Sequence, residues 1–117
     1  MRIVITGSSA LVENNLEKYL PEDIDEIVSC GGEGIDYCAK KYALTHNIKY
    51  SEFMSRYDVY GDKAVEIRAV MIANYVDYAL VFWDGESEET KEFADVFKRL
   101  KKTIFIIRRK KKTGTQR

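Results

Sequence analysis

The chain holds very little histidine, cysteine or proline. His46 stands alone, Pro21 is the single proline, and Cys30 and Cys38 are the two cysteines among 117 residues. One imidazole and two thiols eight positions apart match no zinc-ligand or redox spacing. No metal and no cofactor is therefore expected, and both cysteines read as small apolar fillers. No Ser-His-Asp or Cys-His set is there to support nucleophilic catalysis, so no catalytic residue is assigned. No run approaches the ~20 apolar residues that cross a bilayer, which speaks against a membrane partner. A leader-like apolar segment is also missing: Met1-Arg2 runs straight into a short strand pattern, and a cytoplasmic protein is expected.

Net charge is zero, 19 basic residues against 19 acidic, but the two signs are unevenly placed. Six of the 19 basic residues fall in 108–117, which leaves the body, 1–107, with 13 basic and 19 acidic groups and a net charge of −6. A length of 117 residues suits one domain with its own core. The reading is a single domain over 1–107 followed by a basic tail, 108–117. Arg108–Lys112 could meet the phosphates of a nucleic acid, although a run of like charge more often marks a solvated end.

Strand and helix patterns alternate along the body. Arg2–Thr6 is a β-branched run ending at Gly7. Ser8 or Ser9 is placed to cap a helix with Val12, Leu16, Tyr19 and Leu20 at helical spacing, stopped by Pro21. Asp25–Ser29 is a second strand. Ile35, Cys38, Ala39, Tyr42 and Ala43 then follow i, i+3, i+4, i+7, i+8, the apolar face of a helix. Ile48–Phe53, interrupted by Lys49, Ser51 and Glu52, suits an edge strand, and Tyr57–Gly61 reads as irregular. A helix from Asp62 to about Tyr75 would bury Ala64, Ile67, Met71, Ile72 and Tyr75. Tyr78–Trp83 fits a strand buried on both faces. After Asp84-Gly85, a last helix turns Phe93, Val96, Phe97 and Leu100 inward, and Thr103–Ile107 is the fifth strand.

Five strands alternating with helices predict an α/β fold, a Rossmann-like three-layer αβα sandwich with a five-stranded parallel sheet in the order 3-2-1-4-5. Ligands of such folds bind beyond the carboxyl ends of the strands, where the chain changes direction across the sheet. Three turns converge there: Gly7-Ser8-Ser9, Gly31–Asp36 and Asp84–Thr90. The second has three glycines in four positions, more than a turn requires. Glycine lets a ligand approach the main chain, and a helix starting there points free N–H groups at it. Phosphate or ribose binding is the expectation.

Four segments in this order resemble the SLOG superfamily, the Rossmann-like group that includes the Smf/DprA proteins and the Lonely Guy phosphoribohydrolases. They are Thr6-Gly7-Ser8, Gly31-Gly32-Glu33-Gly34-Ile35-Asp36, Tyr60-Gly61 with Ala64 and Arg68, and Phe82-Trp83-Asp84-Gly85 followed by Ser87 and Thr90. The likeness covers roughly residues 2–107 and is nearest to the small single-domain YspA-like members. It implies a nucleotide or nucleotide-derived ligand, of nucleoside phosphate or ADP-ribose type, at Gly7, Ser8, Gly31, Gly32, Gly34, Asp36, Arg68, Asp84, Gly85, Ser87 and Thr90. A homodimer is compatible with it. The chain departs from the family pattern at Ser9, where arginine is usual, at Ala69, where asparagine is usual, and at Glu89, where glycine is usual. Glu86, Glu88 and Glu89 would repel an anion at the start of the last helix.

Each candidate also has a plainer reading. Asp36 either bonds loop amides or a ribose hydroxyl, or serves as a first-turn partner of the helix dipole. Arg68, on an otherwise apolar helix face, either reaches the crevice to pair with an anion or snorkels. Ser87 either contacts a ligand or caps the last helix. Tyr57, Tyr60 and Trp83 either stack on a base or pack the protein. His46 reads as a last-turn residue. Two other functions remain open: an N-glycosidic phosphoribohydrolase-like enzyme, for which Glu92 would be the candidate carboxylate, and a degenerate fold member acting as a protein or nucleic-acid interaction module.

Overall fold

The β-branched runs all become strands of one sheet. The structure, a computed structural model, describes residues 1–110. Strands β1 (Arg2–Gly7), β2 (Glu26–Ser29), β3 (Lys49–Glu52), β4 (Tyr78–Trp83) and β5 (Ile104–Arg108) pair in parallel throughout, in the order β3-β2-β1-β4-β5. Parallel neighbours need crossover connections, and these supply the outer layers. Helix α1 (Ile35–Thr45) covers one face; α3 (Ala64–Ala73) and α4 (Glu88–Arg99) cover the other. A single turn, α2 (Tyr57–Tyr60), and a 3-10 turn at Gly61–Lys63 lead into α3. This is the Rossmann-like α/β fold and strand order that the sequence pattern predicts. Among the described residues no helix is long and apolar enough to cross a membrane.

Alternation along the inner strands divides the core in two. Val4, Val28 and Val81 face Ala69, Ile72, Phe93 and Phe97, whereas Ile3, Ile5, Ile27, Leu80 and Phe82 pack toward Ile35, Ala39 and Ala43. β4 is buried on both faces, as its unbroken apolar run requires. β3, at the edge, buries none of its four side chains fully.

Four expectations are corrected. The helix predicted between Ser8 and Pro21 does not form; only a 3-10 turn at Leu16–Tyr19 does, Val12 is exposed, and Leu11 and Leu16 are the residues buried. The adjacent Asn14 and Asn15 disfavour the helix, since asparagine prefers turns to a helix interior, and the Asn15 main-chain N–H donates to the Glu13 carboxylate. The third helix is shorter than predicted: it starts at Ala64, Met71 faces solvent, and Tyr75 lies beyond its end. Leu100, at the end of α4, is likewise exposed. β5 also takes Arg108 from the predicted tail.

At the amino end of the sheet, Glu26 is a buried carboxylate with a full set of partners. Its oxygens accept the Ser51 hydroxyl at 2.5 Å and the Tyr75 hydroxyl at 2.6 Å, with Arg2 and Lys49 at 3.6 and 3.8 Å. Burial pushes its pKa up, but the two hydroxyls and two cations outweigh this and hold it below its ordinary value. Glu26→Gln is expected to cost about 2 kcal/mol at pH 7 in urea unfolding. Because the folded-state pKa is depressed, the wild-type advantage is present above pH 4.5 and disappears as pH falls through the lower folded value. An unchanged difference down to pH 2 would contradict this account.

Candidate functional site

The loops after β1, β2, β3 and β4 meet around a cleft of about 390 Å³ at the carboxyl ends of the strands. Of the predicted site residues, Gly7, Gly31, Gly32, Asp36, Arg68, Ser87 and Thr90 line it. Ser8, Gly34, Asp84 and Gly85 do not; they shape its walls. The Ser8 amide bonds the Phe82 carbonyl and its hydroxyl accepts the Asp84 amide at 3.0 Å, tying the β1 and β4 loops together. One Asp84 oxygen accepts the amides of Glu86 and Ser87. Gly34 has φ +67°, and a Cβ there would lie 2.5 Å from the Ser9 carbonyl oxygen. Gly85 lies against the Arg108 guanidinium.

The glycine turn is engaged differently from the expectation. The Gly31 amide donates to the Ser29 hydroxyl at 3.1 Å, and the Gly32 amide to the Asp36 carboxylate at 2.9 Å. The other Asp36 oxygen accepts the Thr6 hydroxyl at 2.5 Å. Asp36 is thus the loop-amide partner, and these two amides are used inside the protein. Burial raises the Asp36 pKa, opposed by the Thr6 and Gly32 bonds and the Arg68 charge. Burial likewise pushes the Cys30 thiol up to about 12, which keeps it a neutral wall of the cleft.

The start of α4 is also satisfied from within. The Ser87 hydroxyl accepts the Thr90 amide at 3.3 Å and meets the Thr90 hydroxyl at 2.9 Å, the N-cap arrangement. The Trp83 indole donates to the Ser87 carbonyl and lies under Arg108, so it packs the strand end. Glu92 is exposed on α4 and does not line the cleft. His46 closes α1, its Nδ1 2.9 Å from the Tyr42 carbonyl and its ring stacked on Tyr42.

Arg68 is the one lining side chain, among the described residues, that is cationic. It is only 8 % exposed, set beside Ala69 and Ile72 on α3. Its Nη2 donates to Glu89 at 3.2 Å, while its Nε is buried with no partner. The Ser55 hydroxyl, on the same cleft, is buried and unpartnered too. Three acidic side chains, Glu33, Asp36 and Glu89, line the same cleft.

Thr6, Cys30, Glu33, Met54, Ser55 and Phe93 line the cleft without having been assigned to it. Met54 and Ser55 follow β3, and the rule that ligands gather at carboxyl ends of strands applies to that loop as to the other three. Tyr57 stands exposed at the cleft and Tyr60 exposed on the neighbouring surface. In the predicted tail, Arg109 reaches the Glu13 carboxylate at 3.4 Å and the Tyr19 hydroxyl. Of Arg108–Lys112, on which the nucleic-acid expectation rests, Lys111 and Lys112 lie outside the described residues. Compared with family models, curated proteins and solved structures, the chain matches none.

Proposed function

We propose that the cleft binds a nucleotide or nucleotide-derived ligand, of nucleoside phosphate or ADP-ribose type, with the ligand's anion at Arg68. This is the function implied by the resemblance to the SLOG superfamily. The observation that carries it is the buried, half-paired Arg68 guanidinium facing a cleft. A desolvated charge is costly unless its donors are met. Nε and Nη2 form one edge of the guanidinium, the edge that grips a carboxylate or phosphate with two parallel bonds. Arg56 uses that edge on Asp58, with bonds of 3.1 and 3.0 Å. At Arg68 only Nη2 is taken, by a glutamate whose side chain is 53 % exposed. Glu89 keeps half of its side chain in water and makes one bond to Arg68 rather than two, so a phosphate that meets both Nε and Nη2 would compete with it. The support therefore rests on Arg68 rather than on the glycine amides.

The test is thermal unfolding of wild type, Glu89→Gln and Arg68→Gln against nucleoside mono- and diphosphates, ADP-ribose and NAD. A ligand at about 100 times its Kd adds ~2.7 kcal/mol, several degrees for a domain this size. Glu89→Gln removes a like charge beside the incoming anion and is expected to tighten binding roughly tenfold. Arg68→Gln is expected to abolish the shift. If no ligand shifts either wild type or Glu89→Gln, the proposal fails. Free base released from a nucleoside monophosphate above buffer controls would move the reading to the hydrolase alternative.

A further inference from the structure

Methionine is among the residues most often buried, yet both internal methionines of this chain stand in the open. Met54 is 61 % exposed and Met71 52 %. They line one groove of about 320 Å³ together with Phe53, Tyr60 and Ile67. Tyr60 is 43 % exposed there. The groove and the cleft are neighbours with a shared wall, because Met54 and Arg68 line both. Besides Arg68, the charged side chains lining it are Glu52 and Arg56, and both already have partners, Tyr50 and Asp58. The rest of the lining is apolar and aromatic.

We infer that this groove holds the flat aromatic base of the ligand whose anion pairs with Arg68. The inference rests on the function proposed above and says where the rest of that ligand lies. Continuity selects this occupant: a molecule held at Arg68 by its anion is already at the groove, with no further chain to cross. Chemistry selects it too. Thioether sulfurs and a tyrosine ring make favourable contacts with an aromatic system, and the guanidinium in the shared wall adds attraction for a π-face. Cleft and groove each lie near the lower end of the ~300–1,000 Å³ range of ligand pockets, which suits a two-part ligand with one part in each. Exposed unbranched side chains also adapt to different rings, so the groove favours a base without demanding one base edge.

Titration calorimetry on the full chain separates the two claims. The probes are ribose 5-phosphate and the four common nucleoside 5′-monophosphates, tested on wild type, Met71→Ser and Tyr60→Ser. Both side chains are exposed, so trimming them leaves the core intact. At least one nucleotide is expected to bind wild type roughly tenfold more tightly than ribose 5-phosphate, the size of a base-stacking contribution. Both variants are expected to lose that advantage and to bind ribose 5-phosphate as wild type does. If ribose 5-phosphate binds as tightly as every nucleotide, the groove is not a base site, while the anion site stands. Variants that weaken ribose 5-phosphate and nucleotide equally also overturn the inference. So does a wild-type dimer that Met71→Ser dissociates, because a second copy would then occupy the groove. If neither sugar phosphate nor nucleotide binds, the function proposed for the cleft falls and this inference falls with it.

Discussion

Gly7→Ala is expected to destabilise the protein by at least about 3–5 kcal/mol, enough to leave much of it unfolded. Gly7 ends β1 and pairs in register with Phe82 of β4. A Cβ at this position would overlap the Phe82 carbonyl oxygen, and it would lie 3.0 Å from Cγ1 of Ile35. The first of these is main chain in the middle of the sheet and has no rotamer to change. The same carbonyl accepts the Ser8 amide, and Ser8 in turn holds the Asp84 amide. Relief of the clash would therefore loosen two loops at the cleft as well as the β1–β4 ladder. Gly61→Ala is the control. Its φ of +59° with ψ of −133° makes alanine strained, but nothing lies within 4 Å of the added atom, so a loss of about 1–3 kcal/mol is expected, from backbone strain without a clash. Urea unfolding of the two variants beside wild type checks the contrast. Equal, small losses would mean that β1 and β4 approach less closely than described.

The fold was legible because it rests on runs and periods. Tyr78–Trp83 is apolar without interruption, and a strand lying between two others with helices on both faces needs that pattern. The failure at Ser8–Leu20 is just as physical. Val12, Leu16, Tyr19 and Leu20 keep helical spacing, yet Asn14 and Asn15 sit between them and the chain buries Leu11 and Leu16 around a turn instead. The pattern measured hydrophobic spacing and missed the local hydrogen-bonding alternative. The site was legible in part. Arg68 stood out as a charge on an apolar face. That its Nε lacks a partner and its Nη2 meets Glu89, 21 positions on, depends on how α3 and α4 cross. The glycine turn was recognisable as a turn and Asp36 as one possible user of its amides. Spacing alone could not choose between loop amide and ribose hydroxyl, and the Ser29 hydroxyl on the Gly31 amide carried no signal. The loop after β3 was missed for another reason. Met54 and Ser55 carry no motif, and only their position at a strand's carboxyl end marks them.

Asp36→Ala and Asp36→Asn are expected to part company. Alanine removes the acceptor of both the Thr6 hydroxyl and the Gly32 amide, one in the sheet and one in the glycine turn. Losing two bonds to a carboxylate only 6 % exposed should cost about 3 kcal/mol and free the turn from the end of β1. Asparagine can satisfy both, its carbonyl accepting the Gly32 amide and its amide donating to the Thr6 hydroxyl, which accepts as readily as it donates. It should cost less than about 1 kcal/mol. The two variants also separate by pH. Burial raises the folded-state pKa of Asp36 above its ordinary 3.8, so the folded protein holds this proton more tightly than the unfolded chain does. Wild type therefore loses stability relative to Asp36→Asn as pH rises from 3.8 through the raised value, opposite in direction to the Glu26 effect. Unfolding free energies for wild type and Asp36→Asn from pH 3 to pH 8 give that difference directly. A difference that grows in wild type's favour over this range would mean that the bonds from Thr6 and Gly32 and the charge of Arg68 outweigh burial.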